Sequence, residues 1–116
     1  MTGEIHKFRF RAMACPCEVV TGAVPQARAH ELAAAAQAEV ERIERKYSRY
    51  RDDSVVTLIN RSAGLDGVKL DDETRELLRT ADKLYQASGG RFDITSGVLR
   101  RAWRFHDARV PAVEEI

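Results

Sequence analysis

The sequence predicts an α/β (α+β) fold in which two antiparallel strands are followed by a long amphipathic helix and several shorter helices. Apolar and basic side chains alternate along residues 5–12, and a second strand-like run covers residues 17–21. Alternation with a period of two is typical of a half-buried strand. From Pro25 to about Ser48, apolar residues recur at spacings of three and four, which indicates a helix. Because two strands are too few for a self-sufficient sheet, we expect this fold to be incomplete alone.

The first strand has one apolar face and one basic face. The apolar face consists of Phe8, Phe10 and Ala12, and the basic face of Lys7, Arg9 and Arg11. The link through residues 13–16 predicts an irregular turn or a bulge before the second strand. Cys15 and Cys17 flank Pro16 in this region. A disulfide across one residue would be strained and two cysteines make no zinc site, so we interpret both as reduced thiols in or near the core.

The long helix begins near Pro25, whose constrained φ suits a first helical turn. Its predicted apolar stripe is Leu32, Ala36, Val40, Ile43 and Tyr47. Ser54 can cap a short helix over residues 55–60, because its hydroxyl can accept a hydrogen bond from an amide of the first turn. A loop over residues 61–70 follows and ends in a strand-like run at residues 68–70.

Three further helical segments are predicted in the second half of the chain. Asp71 or Asp72 caps a helix that ends near Ala87. Its predicted buried stripe is Leu77, Ala81, Leu84 and Tyr85. A short helix is expected over residues 98–103, and residues 110–116 have the proline and paired glutamates of a first helical turn.

Composition excludes several classes of function. The 116 residues include 19 basic and 18 acidic side chains, for a net charge of +1. This balance gives no general electrostatic attraction to nucleic acid or to an anionic membrane. No segment has the length and apolarity of a transmembrane helix. Since basic residues interrupt the first strand and no apolar leader precedes it, we expect a cytoplasmic protein.

Residues 88–97 are the most distinctive segment, because a glycine pair precedes an alternation of apolar and polar side chains. If this segment is extended, Asp93 and Thr95 share one face and Phe92 and Ile94 share the other. Such a segment can bind a ligand, and it can also be an ordinary loop. Composition favours a structural role at each of three candidate ligand positions: Met13 in the core, Tyr50 half-buried, and Asp93 as a cap within the run Arg91, Phe92 and Asp93.

Three motifs in order resemble the ApbE family of FAD:protein FMN transferases. Residues 10–18, FRAMACPCE, resemble its Met-Gly-Thr motif and the strand that follows. Residues 43–60, from Ile43 to Asn60, resemble the end of its first long helix and the start of the next. Residues 92–99, FDITSGVL, with Trp103, resemble its most recognisable block.

This resemblance implies a T-fold-like α/β architecture and a flavin-transfer reaction. Family members bind FAD and Mg²⁺ and pass FMN to a threonine or serine hydroxyl of an acceptor protein, with release of AMP. Some relatives only hydrolyse FAD to FMN and AMP. By position, Met13, Tyr50, Arg91, Phe92 and Asp93 would contact FAD. The sequence departs from the motifs at three places: Ala14 replaces glycine, Cys15 replaces threonine, and Val98 replaces a proline.

The resemblance also implies that residues 1–116 are the N-terminal part of a longer ApbE-like domain. Family members are much longer, and their Mg²⁺ ligands lie in the part that is absent here. We therefore expect no catalytic residue and no metal ligand in this segment, which would need a C-terminal half or a second chain, with an acceptor flavoprotein as further partner. Family members are often exported, in contrast to the cytoplasmic expectation. The alternatives are a non-catalytic flavin-binding module, an FAD pyrophosphatase, and an interaction domain that binds no nucleotide.

Overall fold

The computed structural model describes residues 4–103 and 106–115. The chain divides into two compact units, the first ending at Val68 and the second beginning at Lys69. The elements of the first unit are strands β1 (His6–Ala12) and β2 (Cys15–Thr21) and helices α1 (Gln26–Tyr47) and α2 (Val55–Arg61). The elements of the second unit are helix α3 (Asp72–Ala87) and two 3₁₀ helices, Ile94–Arg101 and Val113–Glu115.

The predicted hairpin is confirmed, but its turn is tighter than the sequence indicated. β1 and β2 pair in an antiparallel register that runs from His6 opposite Thr21 to Ala12 opposite Cys15. Only Met13 and Ala14 lie in the turn, with φ of 51° and 59°. Two left-handed residues give the backbone twist that suits a two-residue hairpin. The prediction that Cys15 and Pro16 belong to the link was therefore wrong, since both lie in β2.

The apolar face of the hairpin packs on α1, as the alternation along β1 predicted. Phe8 contacts the ring of His30 edge-on, with 4.8 Å between ring centroids. Ala12 on the strand and Ala29 and Ala33 on the helix are buried, whereas the basic side chains of β1 are exposed. Small side chains at these positions let the backbones of helix and sheet approach closely. The helix therefore lies on the hairpin through alanines.

The predicted stripe of α1 is only partly correct. Ala36, Val40, Ile43 and Tyr47 are half-buried. Leu32, however, is 39% exposed, because it lies about 60° around the helix from the buried Ala29. The sequence pattern predicted that the bulky Leu32 would be buried, but the neighbouring Ala29 and Ala33 are buried instead.

The helix caps follow the sequence closely. Ser54 accepts a hydrogen bond from the Thr57 amide at 3.1 Å and begins α2. Asp71, the first of the two alternatives, accepts from the Thr74 amide at 3.2 Å and begins α3. The strand-like prediction for residues 68–70 was wrong, since these residues have no regular secondary structure.

The predicted buried stripe of α3 was also wrong for three of its four residues. Ala81 is half-buried, but Leu77, Leu84 and Tyr85 are exposed by 50%, 47% and 42%. The periodicity correctly placed these side chains on one helix face. Burial also requires another element to cover that face, and nothing in the local sequence reports whether one does.

The last elements are shorter and tighter than ordinary helices. The helix expected over residues 98–103 is the 3₁₀ helix Ile94–Arg101, which begins four residues earlier because Asp93 caps it. Only Val113–Glu115 is helical in the terminal segment, where the Ala112 amide donates to the Glu115 carboxylate at 2.8 Å. Residue 116 of that prediction lies outside the described part of the chain.

The turn conformation predicts that an alanine-to-glycine substitution changes the free energy of unfolding in opposite directions at the turn and in α1. A left-handed conformation costs a non-glycine residue roughly 1–2 kcal/mol, and glycine loses roughly 0.4–1 kcal/mol through the unfolded state. Ala14→Gly should therefore raise the free energy of unfolding by about 0.5–1 kcal/mol. The matched control, Ala35→Gly on the exposed side of α1, should lower it by about 1 kcal/mol. Urea unfolding measures both, and a loss of stability in Ala14→Gly would contradict the proposed strain.

Candidate functional site

A cavity of about 850 Å³ opens in the first unit where the hairpin turn meets the C-terminal end of α1. Met13 and Ala14 line it from the turn, and Tyr47 and Tyr50 line it from the end of the helix and the loop beyond. Ligand pockets for small molecules and cofactors have volumes of roughly 300–1,000 Å³. The cavity is therefore large enough for a nucleotide-sized molecule.

Met13 reaches this cavity because the turn is held against α1. Its backbone amide donates a hydrogen bond of 2.9 Å to Glu44 Oε1. An ionised carboxylate is a strong acceptor for a backbone amide. The Met13 side chain is 50% exposed, so the composition-based interpretation of Met13 as a core residue was wrong.

Tyr50 presents an aromatic ring to the cavity and is 77% exposed, not half-buried as composition indicated. The Arg49 guanidinium lies over this ring, with its carbon 4.8 Å from the ring centroid. Arg49 Nη2 also donates to the Tyr50 hydroxyl at 2.6 Å. The Tyr50 amide donates to Ser48 Oγ at 3.3 Å, which ties the backbone to the end of the helix. These contacts orient an exposed aromatic side chain at the edge of the cavity.

The cavity lining carries more positive than negative side chains. Its basic residues are Arg11, Arg45, Arg49 and Arg51, and its acidic residues are Glu41 and Glu44. Arg51 forms a two-armed ion pair with Asp53, at 2.9 and 3.0 Å. This contact raises the pKa of Arg51 and lowers the pKa of Asp53. Guanidinium groups match phosphate geometry, so the lining is suited to an anionic ligand.

The glycine pair of the second unit ends α3. Gly89 and Gly90 have φ of 62° and 81°, and the Gly90 amide donates to the Tyr85 carbonyl at 2.9 Å. A Cβ on Gly90 would lie 3.3 Å from the Tyr85 hydroxyl. The Phe92 amide then donates to Ser88 Oγ at 2.8 Å. The two glycines therefore end α3, and the chain continues from them to Asp93.

Asp93 is a cap, as composition indicated. Its Oδ1 accepts from the Thr95 amide at 2.8 Å and from the Thr95 hydroxyl at 2.6 Å. These hydrogen bonds from Thr95 lower the pKa of Asp93. Because a 3₁₀ helix begins at Ile94, the extended arrangement of residues 92–95 does not form. Arg91 and Phe92 are exposed beside this cap.

The structure brings some of the predicted ligand residues together. Met13 and Tyr50, which are distant in sequence, line one cavity of the first unit. Arg91, Phe92 and Asp93 are consecutive residues of the second unit. Glu44 and Arg49 were missed by sequence reasoning, because a glutamate on a charged helix and an arginine in a polar loop are ordinary surface residues by pattern alone. No group of three or more metal-binding side chains occurs among residues 4–103 and 106–115, and no helix in those ranges could span a membrane.

The hairpin, the long helix and the cavity between them define a member of a known family. The family model for the ApbE family matches residues 13–116, and the chain belongs to that family. An FAD:protein FMN transferase of Chlamydia pneumoniae is 35% identical over 65 residues, which are 56% of this chain and 21% of that protein.

Two solved structures confirm the predicted fold class. An ApbE protein of Thermotoga maritima is 28% identical with a TM-score of 0.78, over 97% of this chain and 37% of that one. The apo form of the flavinyl transferase ApbE of Pseudomonas stutzeri is 25% identical with a TM-score of 0.68, over 99% of this chain and 40% of that one. The chain therefore spans about two fifths or less of the length of these relatives.

The Asp93 cap leads to a prediction about its titration. Removing the Thr95 hydroxyl in Thr95→Val should raise the pKa of Asp93 toward its ordinary value, because the largest cause of the shift is lost. A carboxylate with a lowered pKa stabilises the fold above its unfolded pKa, and this contribution is lost as the pH falls through the folded pKa. The acid side of the stability profile should therefore be less steep in the variant.

Carboxyl chemical shifts followed by NMR across the acidic range measure this pKa. Thr80→Val is the matched control, since the Thr80 hydroxyl donates to the Glu76 carbonyl and is remote in sequence from Asp93. An unchanged Asp93 titration in Thr95→Val would show that the hydroxyl is not the cause.

Proposed function

We propose that this chain is the N-terminal, FAD-contacting part of an FAD:protein FMN transferase. In this reaction a threonine or serine hydroxyl of an acceptor protein attacks the phosphorus of the FMN half of FAD. The new phosphoester bond forms as the pyrophosphate bond breaks, and AMP leaves. Membership of the ApbE family and the similarity to a transferase support this proposal.

The observation that carries the proposal is the meeting of Met13 and Tyr50 at one cavity. A thioether and a phenol offer polarizable and aromatic surface to a flat ring system. Since Arg49 and the Ser48 hydroxyl already orient Tyr50, little of its freedom would be lost on binding. We therefore assign Met13 and Tyr50 to contact with FAD.

The arginines of the same cavity support binding of the pyrophosphate. Arg11, Arg45 and Arg49 line the cavity together with Arg51. Arg51 is already engaged by Asp53 and is a weaker candidate for a phosphate contact. We propose that the first three offer donors to the phosphate oxygens of FAD.

Arg91, Phe92 and Asp93 are proposed as further contacts to FAD. The Thr95 amide and hydroxyl both donate to Asp93 Oδ1 and orient the carboxylate. An ionised carboxylate accepts hydrogen bonds from a ribose hydroxyl or a ring amine. Phe92 is 45% exposed and provides an aromatic surface next to it.

Mg²⁺ is proposed as a cofactor of the complete domain, with ligands outside the described residues. Mg²⁺ is held by carboxylates together with substrate phosphates, but residues 4–103 and 106–115 offer no cluster of three metal-binding side chains. We expect residues 1–116 to need the rest of an ApbE domain for transfer, whether it lies in the same polypeptide or in a second one.

A transfer assay tests the proposed function. The complete protein with FAD, Mg²⁺ and an acceptor flavoprotein should give an acceptor that is heavier by one FMN, together with one AMP. Release of AMP without labelling would identify an FAD pyrophosphatase instead. Retention of FAD without AMP would identify a flavin-binding module. An unchanged melting temperature with excess FAD would identify an interaction domain, because a ligand of the native state must raise apparent stability.

Tyr50 leads to a prediction about affinity. Stacking on an aromatic side chain contributes roughly 1–3 kcal/mol, so Tyr50→Ala in the complete protein should weaken FAD binding by about fivefold or more. Tyr50→Phe keeps the ring and should lose much less. Equilibrium titration of flavin fluorescence measures both variants. Leu65→Ala is the control, since Leu65 is 79% exposed and does not line the cavity; equal losses in Tyr50→Ala and Leu65→Ala would overturn the assignment of Tyr50.

A further inference from the structure

Two thiols converge at the start of β2, outside the functions assigned above. Cys15 and Cys17 are both free, and their Sγ atoms lie 4.0 Å apart. They are two residues apart on one strand, so their side chains project from the same face of the hairpin. Cys15 is exposed and Cys17 is half-buried, which corrects the interpretation of Cys15 as a core or near-core thiol.

A backbone carbonyl completes this arrangement. Cys15 Sγ lies 3.2 Å from the Ala12 carbonyl oxygen, and Cys17 Sγ lies 3.9 Å from the same oxygen. With the 4.0 Å between the sulfurs, the three atoms form a triangle that has two similar sides and one shorter side, between Cys15 Sγ and the oxygen. An ion at its centre would lie about 2.2 Å from each donor, close to the bond lengths of roughly 2.3 Å for metal–thiolate and 2.0–2.2 Å for metal–oxygen bonds.

The local backbone holds the two thiols in this position. Ala12 pairs directly with Cys15 across the two-residue turn, and Phe10 pairs with Cys17. Pro16 stands between the cysteines and has a constrained φ, which limits the freedom of the strand. An extended strand separates the α-carbons of residues two apart by roughly 6.6 Å, near the upper limit for a disulfide. The geometry is better suited to bridging by an ion than to a direct bond.

We propose that Cys15 and Cys17, beside the Ala12 carbonyl, form a binding site for a thiophilic metal ion, with Cu(I) as the favoured ion. Soft thiolate donors select Cu(I) and Zn²⁺ over hard cations. Structural zinc sites in proteins are almost always four-coordinate, whereas Cu(I) is also stable with only two or three donors. Among the described residues no His, Asp or Glu and no further Cys joins the two cysteines in a group of three, so a site with few donors favours Cu(I) over Zn²⁺. As each sulfur–copper bond forms, its thiol releases a proton to solvent, and copper stays in the Cu(I) state.

Anaerobic competition for Cu(I) tests this proposal in the complete, reduced protein. Cu(I) is supplied as the complex of a coloured chelator, and loss of that colour reports transfer to the protein. The wild type should take up one equivalent more than the Cys15→Ser/Cys17→Ser double variant. Each single variant should bind at least about 100-fold more weakly, because the second donor of a chelate acts at a high effective concentration. Met13→Leu is the control for the neighbouring thioether and should bind as the wild type does.

Two further measurements make the outcome decisive. X-ray absorption at the copper edge should find two sulfur neighbours per ion, and a shell of nitrogen and oxygen alone would overturn the site. Equal uptake by the wild type and the double variant would also overturn it, and displacement of Cu(I) by equimolar Zn²⁺ would overturn the choice of metal. Since Cys15 is exposed, Cys15→Ser should keep the wild-type circular dichroism and unfolding midpoint. That variant alone decides the proposal if the double variant does not fold.

Discussion

The two-residue turn at Met13 and Ala14 is the constraint on which the first unit depends. Its left-handed conformations set the register of β1 and β2, and a shift of one residue would exchange the two faces of the strand. Glu44 on α1 accepts the Met13 amide and so connects the turn to the helix. The buried face of the hairpin, the position of Met13 at the cavity and the convergence of two thiols on Ala12 all follow from this one local geometry.

The same turn shows how a departure from a family motif changes local energetics. Where the family motif has glycine and threonine, this chain has Ala14 and Cys15. Alanine keeps the left-handed conformation at a cost that glycine would avoid. The Cys15 thiol is a weaker hydrogen-bonding group than a threonine hydroxyl. It also places a second sulfur beside Cys17. The departure therefore replaces a hydroxyl by a second thiol beside Cys17.

Capping contributes to the candidate site as well as to the helices. Asp93 begins a 3₁₀ helix and is also the carboxylate that we propose for contact with FAD. The hydrogen bonds from Thr95 limit its rotation, which prepares it to accept a further hydrogen bond. Tyr50 is prepared in a similar way by Arg49 and Ser48. In both cases a neighbouring side chain already restricts the residue, so less conformational entropy would be lost when a ligand binds.

By itself, the sequence determined the elements that depend on neighbours along the chain: the hairpin strands, the long helix, the caps at Ser54 and Asp93, and a cap at Asp71 or Asp72. Period and capping are local, because each rests on hydrogen bonds and spacings within a few residues. Only the tertiary structure decided that Leu32 and the face of α3 are exposed, that Ala29 and Ala33 are buried, and that Met13 and Tyr50 share a cavity. The burial of a face and the meeting of distant residues depend on which remote segment of the chain packs there. A local sequence pattern does not identify that segment.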